Sequence, residues 1–92
     1  MKEFCYRVTD PNGLHARPAG ALTNLAKQFE CKISVTSGEK TVDAKRLLSL
    51  MSLGAKFESE LCFCFEGADE EAASQALREH LMAQDHAQKG NA

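Results

Sequence analysis

Apolar and polar side chains alternate from Lys2 to Val8, with Phe4, Tyr6 and Val8 on one side and Glu3, Cys5 and Arg7 on the other. A period of two is that of a half-buried strand, and Pro11-Asn12-Gly13 ends it. From Ala16 the period lengthens. Leu22, Leu25, Ala26 and Phe29 recur at i, i+3, i+4 and i+7, which predicts an amphipathic helix to about residue 28. Pro18 falls in its first turn, where a missing N–H breaks no helical bond. His15 then stands at or next to the N-cap.

"CKISVTSGEKTVDA" reads as two short strands with Ile33 and Val35 inward and a tight turn at Gly38-Glu39. "KRLLSLMSLG" reads as a short helix that Gly54 ends as a C′ residue. "ELCFCFEG" is a strand with Leu61, Phe63 and Phe65 on one face and Cys62 and Cys64 on the other. In "ADEEAASQALREHLMAQ", Ala73, Ala76, Leu77, Leu81 and Gln84 form one helical stripe, Asp69 suits the N-cap, and Glu70 and Glu71 complement the positive end. His80 borders that stripe as a partly buried structural residue. "DHAQKGNA" reads as a polar, frayed tail that leaves His86 in solvent. The order β-α-β-β-α-β-α, with one apolar face per strand, predicts an α+β fold: a four-stranded antiparallel sheet covered on one face by three helices.

Composition narrows the function. A chain of 92 residues buries a little more than ~60% of its unfolded surface. It supports one domain, residues 1–84 followed by the tail 85–92, without a deep enclosed active site. That favours a carrier or binding module over a self-contained enzyme. The net charge is −2, no basic cluster is present and tryptophan is absent, so nucleic acid is not an expected partner. No segment approaches the ~20 apolar residues of a membrane span, and "MKEFCYRVTD" lacks an apolar signal core. The expected location is the cytoplasm, with the four cysteines reduced.

His15 and Arg17 carry the candidate chemistry. The plain reading is a polar residue at a helix start with a solvated arginine beside it. The context argues for more. A helix N-terminus offers free N–H groups, here from Ala16 and Arg17, and a positive dipole end, which together receive anions. The same dipole disfavours imidazolium, and the Arg17 guanidinium adds forked donors that suit phosphate oxygens. A neutral histidine before reaction and a bound dianion after it are what a phosphoryl acceptor requires. No Walker-type glycine loop appears, so no nucleotide or other cofactor is expected, and no residue is evidently placed to activate water.

Two further groups stand out. At 100° per residue Leu47, Leu48, Leu50, Met51 and Leu53 cover roughly 220°, about twice a core stripe. If Leu50 and Leu53 face the core, Leu47, Leu48 and Met51 are left as a docking patch. Cys5, Cys62 and Cys64 fall on the outer sheet face, as one cluster if the first and last strands are neighbours. Their spacing matches no zinc pattern, so no metal is expected. They read as reduced thiols serving as small apolar residues, and Cys31 likewise.

"NGLHARPAG", the element order, and "KRLLSLMSLG" followed by "GADEEAA" resemble the HPr family, the histidine-containing phosphocarriers of the bacterial phosphoenolpyruvate–sugar phosphotransferase system, over about residues 2 to 84. The resemblance implies an open-faced β-sandwich with strand order 1-4-2-3. It implies that His15 accepts phosphoryl on Nδ1 from phosphorylated enzyme I and passes it to IIA domains of sugar permeases. A regulatory, nitrogen-type branch of the same relay is the alternative. Arg17 would bind the phosphoryl group and acidic partner residues. Leu47, Leu48 and Met51 match the family's docking helix, and the protein would act as a monomer. One departure stands out: Arg46 occupies the position where many relatives carry a regulatory serine, which puts serine-based control in doubt. Arg46 is instead expected to strengthen contact with acidic partner surfaces.

Overall fold

A computed structural model describes the backbone of residues 1–90 and the side chains of residues 1–83. Strand β1 (Lys2–Arg7) is followed by helix α1 (Ala16–Ala26), strands β2 (Lys32–Ser37) and β3 (Lys40–Asp43), helix α2 (Leu47–Met51), strand β4 (Glu60–Glu66) and helix α3 (Glu70–Gly90). The strands form one antiparallel sheet in the order β1-β4-β2-β3. The expected α+β architecture, an open-faced sandwich with one face under helices, is the one observed.

Among the described residues, the large inward side chains land where their period placed them. Phe63, Phe65, Leu61, Ile33 and Val35 from the sheet and Leu22, Leu50 and Leu77 from the helices are fully buried. Phe4, on the edge strand, stacks 5.1 Å from the Phe63 ring and 5.6 Å from Phe65. The Arg78 guanidinium lies 5.1 Å over the Phe4 ring, so a cation covers an edge-strand aromatic that is only partly buried. His80 is half-buried on α3, and burial lowers its pKa.

Three details differ from expectation. Asp69 does precede α3, and its carbonyl accepts the first helical bond from Ala73 N at 2.9 Å. Its carboxylate, however, accepts the N–H groups of Glu30 and Cys31, both at 2.8 Å. It clamps the start of β2 to the start of α3, and those hydrogen bonds, led by Glu30, hold its pKa below the ordinary 3.8. Helix α3 also runs past Gln84 to Gly90, through most of the stretch expected as tail. Residues 85–89 contain no proline, glycine or β-branched residue to stop it. The side chains of Gln84 and His86 lie outside the described residues.

The third concerns the cysteines. Cys5 and Cys62 are not reduced; they form a disulfide between β1 and β4. The register explains it. Cys5 stands directly opposite Cys62, with Cα atoms 4.0 Å apart, closer than the ~4.5 Å of the tighter kind of antiparallel pair. Cys31 and Cys64 are free. Cys31 is buried, and desolvation together with the adjacent Asp69 pushes its thiol pKa up to about 11.

Candidate functional site

The chain leaves β1 through Val8, which is tied to the loop before β4 by Val8 N donating to Ser59 O (2.9 Å) and Glu58 N donating to Val8 O (2.8 Å). Asp10 then builds the turn. Its side-chain Oδ1 accepts Asn12 N at 2.8 Å, and its carbonyl accepts Gly13 N at 2.8 Å. This Asx-turn geometry is what an aspartate before Pro-Asn-Gly provides. Gly13 adopts φ +73°, and a Cβ there would lie 2.5 Å from Ala55 O. Only glycine meets both demands. The approach allows Leu14 N to donate to Ala55 O at 3.0 Å, which fixes the loop against the segment that follows α2.

His15 is therefore delivered as the N-cap of α1, with extended backbone (φ −93°, ψ −174°) and no side-chain cap bond. Its carbonyl accepts the first helical bond, from Ala19 N at 3.0 Å. Pro18 has no N–H, so the leftover donors of the first turn are those of Ala16 and Arg17. Both residues are exposed. The two residues lie at the helix start where the sequence reading put them.

The imidazole is held by a residue that the sequence did not single out. His15 Nε2 lies 3.1 Å from Asp10 Oδ2, with the two side chains 42% and 22% exposed. An ionised carboxylate only accepts hydrogen bonds, so in the neutral ring this contact puts the proton on Nε2 and leaves the lone pair on Nδ1. Among the described residues Nδ1 has no partner. Asp10 thus uses one oxygen to shape the turn and the other to set the histidine's tautomer. A polar residue five positions upstream gave no sign of this, because the loop conformation alone brings the two together.

The cavity beneath this loop, bounded by Tyr6, Val8, Leu14, Pro18, Leu61 and Leu81, measures about 20 Å³, room for about one water. A cavity of that size cannot enclose a substrate, and the His15 ring lies at the surface. The leucine helix divides as expected for Leu47, Leu48 and Leu50, but not for Met51, which packs on the core as Leu53 does. Leu50 is buried and Leu53 packs on the core, whereas Leu48 is 81% exposed and Leu47 38%. Met51 is half-buried and touches the core from the rim. Phe57, beyond α2, is also 52% exposed, and sequence periodicity gave no sign of it. Arg46 is exposed at the N-cap of α2, with only a distant 3.9 Å contact to Asp43. Helices α1 and α2 pack together, so both groups belong to one side of the molecule. Cys5, Cys62 and Glu60 bring ligand-type atoms within 4.8 Å of one another, but the disulfide occupies both sulfurs. Among the described residues no helix is long and apolar enough to cross a membrane.

Residues 2–83 match the family model of the PTS HPr component phosphorylation site. The chain is 39% identical over 75 residues to the phosphocarrier protein HPr of Buchnera aphidicola, covering 82% of this chain and 88% of that protein. It is 43% identical over 75 residues to a multiphosphoryl transfer protein of Vibrio cholerae, covering 78% of this chain and 19% of that much longer protein. A crystal structure of an HPr from Thermoanaerobacter tengcongensis superimposes with a TM-score of 0.86 at 36% identity, over 90% of this chain and 93% of that one.

Proposed function

This chain belongs to the HPr family of phosphocarriers of the phosphotransferase system, and from that premise we propose that it relays phosphoryl groups through His15, in the cytoplasm and as a monomer. Nδ1 takes the group from phosphorylated enzyme I and gives it to IIA proteins or domains of sugar permeases. The observation that carries the reading is the Asp10–His15 contact. It leaves Nδ1 as the nitrogen with the lone pair, on a ring presented at the surface.

In the transfer, the Nδ1 lone pair forms the N–P bond as the bond from phosphorus to the donor's leaving atom breaks, and that atom keeps the electron pair. The proton stays on Nε2. The imidazole ring then carries positive charge, which the Asp10 carboxylate faces. The equatorial phosphoryl oxygens meet the N–H groups of Ala16 and Arg17 and the Arg17 guanidinium, which together offset the charge of the transferring group. Return transfer to an acceptor reverses each step, so nothing is consumed and no metal or cofactor is needed on this chain. Leu47, Leu48 and Met51 would dock the partner, with Arg17 and Arg46 at its acidic residues.

Incubation with phosphoenolpyruvate, magnesium and enzyme I, followed by intact mass measurement, tests this. One acid-labile phosphoryl should appear, and none on His15→Ala. No gain, with an enzyme I that phosphorylates another HPr in the same mixture, would overturn it.

A further inference from the structure

We propose that Cys5 and Cys62 form a reversible thiol–disulfide exchange site on the open face of the sheet, whose chemical partners are low-molecular-weight thiols and disulfides of the glutathione class. The inference goes beyond the phosphoryl relay and involves none of its residues. The pairing is set by the fold. Cys62 and Cys64 are two apart on one strand, ~6.5–7 Å between Cα atoms. Cys64 stands opposite Glu3, one step diagonal from Cys5, and diagonal neighbours are ~7–8 Å apart, beyond the reach of a relaxed disulfide. Cys31 is buried elsewhere. Of the four cysteines, only Cys5 and Cys62 are placed to join.

Placement also argues that the bond opens. Cys5 is exposed and Cys62 half-buried, and exposed disulfides are the labile ones. The helices leave this face of the sheet uncovered, so a thiolate has a path to either sulfur. On the cytoplasmic reading proposed above, the compartment is reducing, and a disulfide there is generally transient or redox-sensing rather than structural. The bond has a mechanical effect as well: β1 is an edge strand that pairs only with β4, and the bond fastens it there across a sequence separation of 57.

The exchange balances. One cysteine thiolate attacks the small-molecule disulfide RSSR and releases RS⁻. The second thiolate then attacks the mixed disulfide and releases another RS⁻. The two cysteines lose two electrons to RSSR, and their two protons end on the two RSH molecules. Reduction runs the same steps backwards.

The test equilibrates the full chain in mixtures of reduced and oxidised glutathione, quenches with acid, alkylates in denaturant, and counts labels by mass. Two labels, on Cys31 and Cys64, are expected at the oxidising end and four at the reducing end, with one two-electron transition between them. Cys64→Ser should keep the transition with one label fewer throughout. Cys5→Ser should lose it and trap glutathione on Cys62. Hydrogen exchange of the β1 amides should be several-fold slower in the oxidised form, a readout the wild-type protein supplies without any variant. Four labels across the whole range would overturn the proposal. So would a disulfide-linked dimer in place of the internal bond. Tight uptake of zinc by the reduced protein, blocking oxidation, would assign Cys5, Glu60 and Cys62 to a metal instead.

Discussion

Substituting Asp10 by asparagine should slow phosphoryl acceptance more than removing the side chain altogether. The reason is an orientation that the turn imposes. Asp10 Oδ1 accepts Asn12 N at 2.8 Å while Oδ2 faces His15 Nε2 at 3.1 Å. An asparagine must keep its oxygen on the Asn12 N–H, since the alternative sets two donors against each other. Its NH₂ then faces Nε2 and can only donate. Nε2 becomes the acceptor, and the proton moves to Nδ1, the nitrogen that must attack. Hydrogen bonds to charged partners contribute about 1.5–3 kcal/mol, but both side chains here are partly exposed, which brings the Asp10–His15 contact nearer 1 kcal/mol. Asp10→Ala should therefore lower the rate about fivefold. Asp10→Asn loses the same contact. It must also break its own hydrogen bond and leave a donor facing a donor in the reactive tautomer, together about 2–3 kcal/mol, or 30-fold and more.

The assay is the initial rate of labelling from phosphoenolpyruvate through enzyme I, with ¹⁵N spectra of the His15 ring to report which nitrogen is protonated. The expected order is wild type, then Asp10→Ala, then Asp10→Asn, with the proton on Nε2 in the wild type. An asparagine variant as fast as the alanine one, or a wild-type ring protonated on Nδ1, would refute the reasoning. Melting curves of all three proteins separate a tautomer effect from a loosened turn.

Gly13→Ala should destabilise by about 2 kcal/mol or more, seen in urea unfolding, since the new Cβ combines a left-handed φ with a 2.5 Å approach to backbone at Ala55 that no rotamer relieves. Thr23→Val should instead stabilise by about 1 kcal/mol, a rise of several degrees in melting temperature, because the buried Thr23 hydroxyl has no partner among the described residues; an unchanged midpoint would mean that water satisfies it. The Asp69 pKa lies below its ordinary 3.8, so its stabilisation is complete above pH 3.8 and is lost as pH falls through the lower folded value. Asp69→Asn should flatten that acid limb of the stability curve. Leu48→Ala should leave the unfolding free energy within about 0.5 kcal/mol of the wild type, the side chain being 81% exposed, yet weaken enzyme I binding roughly tenfold by calorimetry.

Side-chain period carried the reading of the fold wherever burial was the deciding force. Phe63 and Phe65 face the core, with Cys62 and Cys64 turned away, because a strand has only two faces and one of them is covered. The division of α2 was legible for the same reason: an apolar arc too wide for one interface must leave Leu48 outside. The strand order came from family resemblance rather than from period, since alternation says which face is buried and not which strand is the neighbour.

What stayed hidden depends on register and on loops. Knowing that β1 lies beside β4 put three thiols on one face. Only the register, Cys5 opposite Cys62 rather than opposite Cys64, turns proximity into a bond, and a slip of two residues would keep every face assignment while changing the partner. Asp69 shows the same limit at a helix end. Its position before α3 was legible, but a carboxylate satisfies whichever N–H groups lie within reach, and the nearest belong to Glu30 and Cys31, 39 and 38 residues earlier. Asp10 is the most instructive case because nothing long-range is involved. It lies five positions before His15, and the link forms because Gly13, at a backbone angle only glycine adopts freely, folds the chain back between them. The glycine and the aspartate are therefore one device. The first bends the loop, the second fixes the proton, and a change at either should be felt at Nδ1.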